Sequence, residues 1–185
     1  MKRIQDLTQI ELMTEVHYSP NSGVFTQLNP YAHRPVNAVI GTLTEKGYLR
    51  ATICNKKYYL HRLAFLYMTG ELPPEGLEID HVNGIGADNR WTNLRLATKR
   101  QNCYNRKSRS PLGIKGLSLM FTEKGKRKYL ATIRVEGKLV RKNLTNILGT
   151  PEEDKRILTE LVSWIDELRR LHHGEFYNDG LGGED

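Results

Sequence analysis

The sequence has little of what marks a membrane, secreted or disulfide-bonded protein. Its 185 residues include two cysteines, Cys54 and Cys103, which form no Cys-x-x-Cys pair. This usage indicates neither a disulfide framework nor a cysteine zinc site. There is no long apolar run and no signal-peptide pattern at residues 1–6, so we expect no transmembrane segment and a cytoplasmic location. With 38% hydrophobic residues, several small cores are expected rather than one large core.

Positive charge is in excess, with 28 Lys and Arg against 21 Asp and Glu and a net charge of +7. This balance suits a polyanionic partner, although it also fits an ordinary solvated surface. Eight basic residues and no acid lie between Arg90 and Thr122. Because this run continues the helix that carries the candidate site below, phosphate contacts are its favoured role. The predicted contacts in the run are Arg95, Lys99, Arg100, Arg106, Lys107, Arg109 and Lys115.

The stretch over residues 78–102 carries most of the chemical signal. Asp80 and His81, an adjacent acid and base, end a short apolar run. A turn-rich loop and a second short apolar run follow, and then come Thr98 and Gln101, whose spacing predicts the N-cap and third position of a helix. The local prediction is strand, loop, strand and helix. It would gather a carboxylate, an imidazole and a carboxamide around one small cleft.

These side chains suit phosphodiester hydrolysis. Mg²⁺ prefers oxygen ligands and keeps several waters, so Asp80 and the side-chain oxygen of Asn102 could supply two ligands. Mg²⁺ is the expected ion, with Mn²⁺ as the alternative; it would polarise the phosphoryl group and stabilise the leaving oxygen. His81 is the natural base for the attacking water. An Asp-His dipeptide alone is more often an ordinary strand end, and the spacing of the whole set is what favours a site.

The pattern of Asp80-His81, then Asn93 in Asn-Leu-Arg, then Asn102 in Gln-Asn resembles the HNH endonuclease family. The resemblance is to its His-Asn-Asn branch, found in phage and intron-encoded homing nucleases. It implies a ββα-metal finger in which Asp80 and Asn102 bind the metal and His81 is the general base. Asn93 would tie the loop and orient His81 rather than ligate metal. Asn102 stands where the name-giving motif has a histidine, and a neutral amide binds metal more weakly.

Residues 1–74 are predicted to form a strand-rich segment ahead of the nuclease module. A short helix is expected over 6–16, a second helix over 61–69, and strands at 24–26, 39–40, 48–53 and 57–60. His61 and Arg62 have two interpretations. His61 either packs at a strand–helix junction, which we favour, or both side chains contact a DNA phosphate; the role of Arg62 stays open.

A second unit is predicted over residues 113–177, after a linker at 108–112. Strands are expected at 116–121, 129–135 and 138–144, and a helix follows with Thr150 and Glu153 as a capping box. One face of this helix is apolar and is expected to cover the sheet as core. Its members are Ile157, Leu161, Trp164, Ile165, Leu168 and Leu171.

Three stretches of this unit, at 113–118, 129–135 and 171–176, resemble the AP2 DNA-binding domain. The resemblance implies that a three-stranded sheet lies in the major groove with the helix packed behind it. Strand alternation would turn Tyr129, Ala131 and Ile133 inward. The tryptophans that plant members expose are missing, and Leu130 and Leu139 occur instead. The predicted DNA contacts in this unit are Lys115, Ser118, Lys128, Thr132, Arg134 and Arg141.

The whole prediction is an α+β protein with a small N-terminal sheet and helix (1–74), a ββα-metal HNH nuclease module (75–107), a linker (108–112), an AP2-like domain (113–177) and a disordered acidic tail (178–185). We expect a monomeric, homing-type HNH endonuclease that nicks double-stranded DNA, needs no small-molecule cofactor and contacts no membrane. If a phage encodes it, it works in the host bacterial cytoplasm. Two alternatives are a regulatory or architectural DNA-binding protein with an inactive nuclease site, and a packaging-associated phage HNH nuclease.

Overall fold

The structure, a computed structural model, describes residues 7–30, 34–106, 108 and 110–176. The predicted helix start at Asp6, the basic residues Lys107 and Arg109, and the predicted tail at 178–185 lie outside the described residues. The chain divides into two compact units, residues 1–100 and 101–185. Both units combine helices with small antiparallel sheets, so the α+β prediction is confirmed. Within the described ranges, no helix is long and apolar enough to cross a membrane.

In its described residues, the first unit has two short α-helices and three small antiparallel sheets. The sheets have the strand orders β1-β2-β3, β4-β5-β6 and β7-β8. The elements are α1 (Gln9–Glu15), β1 (Val16–Ser19), β2 (Val24–Gln27), β3 (Val39–Ile40), β4 (Thr42–Leu43), β5 (Leu49–Ile53), β6 (Lys56–Tyr59), α2 (Leu60–Thr69), β7 (Leu77–His81) and β8 (Leu94–Thr98).

Helix ends in this unit follow local sequence signals. Thr8 forms a capping box at the start of α1: its hydroxyl accepts from the Glu11 amide at 3.2 Å, and the Glu11 carboxylate accepts from the Thr8 amide at 2.8 Å. Helix α2 ends at Gly70, whose φ of 78° is left-handed, as the sequence predicts. Strands β1 and β4 are absent from the sequence prediction, and β1 begins at Val16, the residue at which the predicted helix over 6–16 ends.

The core of the first unit joins α1 and α2 to the first two sheets. Tyr18 and Phe25 stack at 4.5 Å between ring centroids, on neighbouring strands β1 and β2. Helix α2 contributes more of the buried side chains than any other element. The buried residues are Leu7, Leu12, Val16, Tyr18, Phe25, Ile40, Ala51, Ile53, Tyr58, Leu60, Leu63, Ala64 and Leu66.

The second unit is a three-stranded antiparallel sheet covered by a long helix. Its strand order is β11-β10-β9, and helix α3 crosses the division between the units at residue 100. The elements are α3 (Lys99–Asn105), β9 (Leu117–Phe121), β10 (Arg127–Val135), β11 (Lys138–Thr145) and α4 (Pro151–His173), followed by a 3₁₀ turn (Gly174–Phe176). The three predicted strands and the helix occur within two residues of their expected bounds.

The buried face of α4 differs from the predicted stripe at its C-terminal end. Ile157, Leu161 and Ile165 are buried as expected, but Leu171 is 69% exposed. The buried row continues by steps of four to Arg169, which is 4% exposed. Leu171 lies six positions after Ile165, which at 100° per residue turns its side chain away from the sheet. The prediction that Leu171 belongs to the core is therefore wrong.

The N-terminus of α4 is held by a network of polar side chains. Thr150 caps the helix, its hydroxyl accepting from the Glu153 amide at 3.2 Å. Glu153 does not complete the predicted box in the usual way, because its carboxylate accepts from the Leu148 amide at 2.6 Å. Buried Asn146 donates to the Thr150 carbonyl at 2.9 Å and to the Asp154 carboxylate at 2.6 Å. The loop before α4 is thus fixed to the first turn of the helix.

Candidate active site

The candidate acid and base close strand β7 in the β7–β8 hairpin. Asp80 and His81 are the last two residues of β7, and each is 4% exposed. The register places Asp80 opposite Arg95 and His81 opposite Leu94. Successive strand residues point to opposite faces, so the carboxylate and the imidazole leave the hairpin in different directions. Each must therefore be positioned by its own set of neighbours.

Asp80 forms a buried ion pair with Arg95, directly across the hairpin. Arg95 Nε and Nη2 both lie 2.9 Å from Asp80 Oδ2. The pair is well enclosed, with relative side-chain exposures of 16% for Arg95 and 5% for Asp80. A carboxylate this buried needs an opposite charge to offset its desolvation. The sequence assigns Arg95 to DNA phosphate, whereas the structure places its guanidinium on Asp80.

Asn93 ties the loop that follows His81. Its Oδ1 accepts from the Asn83 amide at 3.0 Å, and its Nδ2 donates to the Asn83 side-chain oxygen at 3.0 Å and the Asp88 carbonyl at 2.8 Å. The amide of Val82 also donates to the Asn93 carbonyl at 2.9 Å. One buried asparagine therefore joins the start of the loop to its end. A side chain with two donors and an acceptor carbonyl is suited to this bridging role.

The end of the loop is also fastened to the first sheet of the unit. The Tyr18 hydroxyl donates to the Asn89 carbonyl at 2.7 Å, and the Trp91 amide donates to the Pro20 carbonyl at 2.9 Å. Gly23, with φ of 71°, approaches so closely that an added Cβ would lie 2.5 Å from the Arg90 amide nitrogen. Only glycine fits both that conformation and that approach. The N-terminal strands thus position the candidate active-site loop.

Four aromatic or imidazole rings form a cluster that includes His81. The His61 ring lies 5.2 Å from the His81 ring, with their planes at 86°, and Tyr48 lies 5.8 Å from His81. Tyr59 stacks on His61 at 5.5 Å. The loop itself packs on this cluster, because a Cβ at Gly86 would lie 2.8 Å from Tyr48 Cδ1. This arrangement places His61 in the packed junction that the sequence favours for it.

Burial keeps the two histidines of the cluster neutral. Desolvation lowers the pKa of His81, opposed in order by a hydrogen bond with the Asn89 side chain and by the charges of Asp80 and Asp88. Desolvation, followed by the charges of His81 and Arg62, lowers the pKa of His61 to about 3. A neutral imidazole at His81 can accept a proton at physiological pH.

Asp88 carries the fixed negative charge of the loop. A hydrogen bond from the Arg90 side chain is the main cause that lowers the pKa of Asp88 to about 2. The Arg90 Nη2 lies 2.6 Å from Asp88 Oδ2, and the Asn83 side chain donates to the same oxygen at 2.8 Å. The Asp88 carboxylate stays ionised at neutral pH, and its bonds with Arg90 and Asn83 hold the loop together.

Asn102 and the neighbouring basic residues lie on or next to α3. Asn102 falls in the second unit, beyond the division at residue 100, and its place relative to Asp80 stays a prediction. Lys99 and Arg100 are exposed on the first turn of α3, and Arg106 is exposed just after it. These positions leave the three cationic groups open to solvent, as a phosphate contact requires.

Lys115 has a structural role that the sequence does not indicate. Its ammonium donates to the carbonyls of Cys103, Tyr104 and Arg106, each at 2.8 Å. These carbonyls lie at the C-terminal end of α3, where a lysine commonly satisfies the helix end. Burial lowers the pKa of Lys115 to about 8, but three accepting carbonyls require the protonated form. Lys115 therefore caps the end of α3 with all three of its donors, and its contact with DNA stays a prediction.

The remaining predicted contacts lie on the face of the second sheet that points away from α4. Tyr129, Ala131 and Ile133 are buried, so the alternate residues of β10 face outward. Arg134 pairs with Leu139 and Thr132 pairs with Arg141 across β10 and β11, which places these side chains on the same outer face. The predicted members of this face are Ser118, Lys128, Thr132, Arg134 and Arg141.

The donor set for a metal ion is sparse. In the described part of the chain, no group of three or more His, Cys, Asp or Glu side chains could hold a metal ion. Asp80 offers a carboxylate and Asn102 an amide oxygen, and both are the hard oxygen donors that Mg²⁺ accepts. The predicted pairing of these two donors would suit an ion that keeps most of its waters, whereas it would not suit zinc, which prefers several His or Cys ligands.

Sequence reasoning misses the residues that support the site. The sequence does contain a signal for Arg95, because a hairpin that pairs residue 80 with residue 95 places the Asp80 carboxylate opposite the Arg95 guanidinium. Tyr48 and Tyr59 carry none, because only the fold brings this part of the chain next to the hairpin loop.

Comparison with known proteins gives two matches. Residues 58–104 match the HNH endonuclease family, a span that includes Asp80, His81, Asn93 and Asn102. Protein 3.8 of Escherichia phage T7 is 34% identical over 105 residues, which are 56% of this chain and 75% of that protein. No solved structure matches the chain significantly. The HNH match indicates a nuclease-type function, and a nuclease domain implies that DNA is bound; the AP2 resemblance has no counterpart among these matches.

Proposed function

We propose that this chain, which belongs to the HNH endonuclease family, is a metal-dependent endonuclease. Its proposed reaction is the hydrolysis of phosphodiester bonds in double-stranded DNA. The observation that supports this most is the adjacent pair of Asp80 and His81 at the end of β7, both buried and both within the matched span. A buried carboxylate beside a neutral imidazole is costly for a protein that only folds or binds.

His81 is the general base of the proposed reaction. Its neutral imidazole takes a proton from a water molecule as the water oxygen bonds to phosphorus, and the bond from phosphorus to the leaving oxygen breaks. Lowering the His81 pKa by burial keeps this base in its active form at neutral pH. Asn93 serves the step indirectly, because it fixes the loop that begins immediately after His81.

Asp80 and Asn102 are the proposed ligands of a divalent ion, with Mg²⁺ as the first candidate. HNH nucleases generally use such an ion, which supplies electrostatic stabilisation of the phosphate and the leaving oxygen. Arg95 fixes the Asp80 carboxylate through Oδ2. A ligand held by its own hydrogen bonds is already oriented when the ion arrives.

The outer face of the second sheet is the proposed surface that positions the enzyme on duplex DNA. Lys128, Arg134 and Arg141 supply positive charge there, and Leu130 lies between them on β10. This is the AP2-like part of the proposal, and it rests on strand register and charge. Replacing Arg134 and Arg141 with Ala should weaken DNA binding. The slope of log K against log salt should also become shallower, by about one unit for each phosphate that is no longer neutralised.

The proposed activity is a homing-type nick; the described residues contain one candidate site, which would cut one strand at a time. Supercoiled plasmid and phage genomic DNA should be incubated with the protein in Mg²⁺, in Mn²⁺ and in EDTA. We expect nicked circles in the metal ions and none in EDTA. The variant His81→Ala should lose cleavage, whereas the control His17→Ala, which alters an exposed histidine on β1, should cut like wild type.

Two results would overturn this proposal. Equal cleavage by wild type and His81→Ala would remove His81 from the chemistry. DNA binding without cleavage of either substrate, in both metal ions, would favour a binding protein with an inactive nuclease site.

A further inference from the structure

His61 contacts three other rings, one of which is the proposed general base. Its centroid lies 5.2 Å from that of His81, 5.5 Å from that of Tyr59 and 5.4 Å from that of Tyr48. Tyr59 stacks nearly parallel to His61, at 13°, whereas His81 stands perpendicular to it, at 86°. Offset stacking and perpendicular contact are the two arrangements in which pairs of aromatic rings attract each other most. The His61 ring therefore has defined neighbours on more than one side.

The backbone that carries His61 is fixed by the core. His61 is the second residue of α2, and its helix neighbours Leu60 and Leu63 are each 1% exposed. Tyr48, which touches both histidines, also packs against Gly86 of the loop that follows His81. Helix α2 and the residue that directly precedes β5 thus present rings to the base and to its loop together.

The charge state of His61 suits a neighbour of a base. With its pKa lowered to about 3, His61 stays neutral throughout the pH range of ordinary nuclease assays. It therefore adds no positive charge beside His81 when His81 holds the proton taken from water. A charged residue in the same place would oppose that step by repulsion.

We propose that His61 is a positioning residue whose ring fixes the orientation of the His81 ring toward the attacking water. This inference rests on the proposed nuclease function. A general base must lie within hydrogen-bonding reach of the proton that it removes, and a misplacement of about 1 Å can lower a rate by about 100-fold. The perpendicular contact between the two imidazoles restricts the rotation of His81 that would cause such a misplacement.

Two other roles for His61 are simpler, namely contact with a DNA phosphate and plain core packing. The first needs a protonated or donating imidazole, and the second predicts a loss of stability without a specific loss of rate. His61 Nδ1 has no hydrogen-bond partner among the residues that the structure describes. Replacement by Phe therefore keeps a ring in place and removes no hydrogen bond at Nδ1. Comparing the Phe and Ala variants of His61 then distinguishes positioning of His81, phosphate contact and core packing.

The test compares His61→Ala and His61→Phe with wild type in the full-length protein. Single-turnover cleavage at saturating DNA gives the rate, and a titration in EDTA gives the DNA affinity. We expect His61→Ala to cut about 30-fold more slowly with an affinity within about twofold of wild type. His61→Phe should recover the rate to within about threefold. Leu66→Ala, a buried residue of α2 outside the ring cluster, is the control for a plain loss of stability.

A spectroscopic measurement on the metal-free protein reports directly on the orientation of the His81 ring relative to His61. The nuclear magnetic resonance of the His81 ring proton on Cε1 should shift in His61→Ala, and should stay near its wild-type position in His61→Phe and Leu66→Ala. A perpendicular neighbouring ring displaces such a resonance, so its removal is visible without any reaction. A structural role alone would not separate the Ala and Phe variants of His61 from Leu66→Ala in this way.

The outcomes are distinguishable from those of the nuclease proposal. If wild type does not cut, or if His81→Ala cuts equally well, the proposed function falls and this inference falls with it. If wild type needs His81 but His61→Ala cuts at the wild-type rate, only the positioning role is overturned. Weaker DNA affinity in both His61 variants would instead assign His61 to a phosphate contact, and equally slow cleavage by His61→Ala and Leu66→Ala would assign it to packing.

Discussion

The two units of this protein both bury polar side chains, but they use them differently. In the second unit, Asn146 and Glu153 bond to main-chain groups at the start of α4, and Asp154 pairs with Arg127 at 2.6 Å. These contacts fix the first turn of α4 to the preceding loop and to strand β10. In the first unit, Asp80 and His81 end a strand beside a loop, and rings of neighbouring side chains lie against the imidazole. Burial of a polar group is common to both, so burial alone does not identify a site.

The partners of each buried group distinguish the two cases. A polar side chain that satisfies orphan groups at a helix end has a complete structural explanation. The Tyr48 and His61 rings that enclose the His81 imidazole satisfy no main-chain group, and this enclosure lowers the pKa of His81 against the opposing effect of its hydrogen bond with the Asn89 side chain. Burial of such an imidazole lowers the stability of the fold but keeps the ring as a proton acceptor at neutral pH. This combination is typical of a functional residue. Three predictions test this contrast, beginning with the largest expected effect.

Replacing Arg95 by Met should destabilise the first unit by about 3–5 kcal/mol, because the Asp80 carboxylate would remain buried without its opposite charge. Urea unfolding can be followed for each unit separately, since Trp91 lies in the first unit and Trp164 in the second. The Trp164→Phe background reports on the first unit through Trp91. The double variant Asp80→Asn with Arg95→Met should recover part of the stability.

The matched control is Arg127→Met, which breaks the ion pair with Asp154 in the second unit. Arg127 has a relative side-chain exposure of 35%, against 16% for Arg95, so solvent should replace much of its contribution. Equal destabilisation in the two variants would contradict the view that the Asp80 pair is the more deeply desolvated one.

The stability of the first unit should fall as the pH decreases from about 7 to 5, by up to about 2 kcal/mol from His61 alone. His61 has a pKa of about 3 in the folded protein against an ordinary value of 6.5. Between these values the unfolded chain binds a proton that the folded chain does not, so stability is present above pH 6.5 and declines progressively toward pH 3. Urea unfolding of the Trp91 reporter at several pH values measures the slope.

The variant His61→Phe is the control for this pH dependence, because it removes the titrating group and keeps a ring. Its unfolding free energy should depend less steeply on pH than that of wild type. An unchanged slope in His61→Phe would show that other groups cause the dependence and that His61 titrates normally in the folded state.

Thr150→Ala should destabilise the second unit by about 1 kcal/mol, because it removes the hydroxyl that caps α4. The Trp91→Phe background reports on this unit through Trp164. Thr159→Ala removes a hydroxyl that bonds back to the Lys155 carbonyl within the same helix, and it should have a smaller effect. Destabilisation by Thr159→Ala as large as that by Thr150→Ala would argue against the cap.

Local patterns predict much of the fold. Alternation and turn residues locate β10 and β11 within two residues, and Gly70 marks the end of α2. The end of the α4 stripe escapes prediction because Leu171 looks like a continuation of the apolar row, whereas steps of four select Arg169. The helical period of 3.6 residues already places Leu171 off this row, so the error lies in extending the stripe by residue type rather than by spacing.

The candidate site divides in the same way. The sequence identifies Asp80, His81 and Asn93 from their spacing. Two antiparallel strands joined by a loop of this length bring the end of the second strand next to the beginning of the first. The partner of Asp80 lies on β8, and the rings next to His81 come from Tyr48, which directly precedes β5, and from α2. The role of Lys115 as a helix cap is likewise fixed by tertiary contacts, although its charge and position in a basic run suggest a DNA contact.

The most direct test of the central claim is the rate at which His81→Ala nicks supercoiled DNA in Mg²⁺, relative to wild type at equal DNA occupancy. Removal of a general base predicts a rate about 10²–10⁴-fold lower, with DNA affinity unchanged. A His81→Ala protein that binds and nicks DNA at the wild-type rate would contradict the claim that the enclosed imidazole at the end of β7 is the catalytic base.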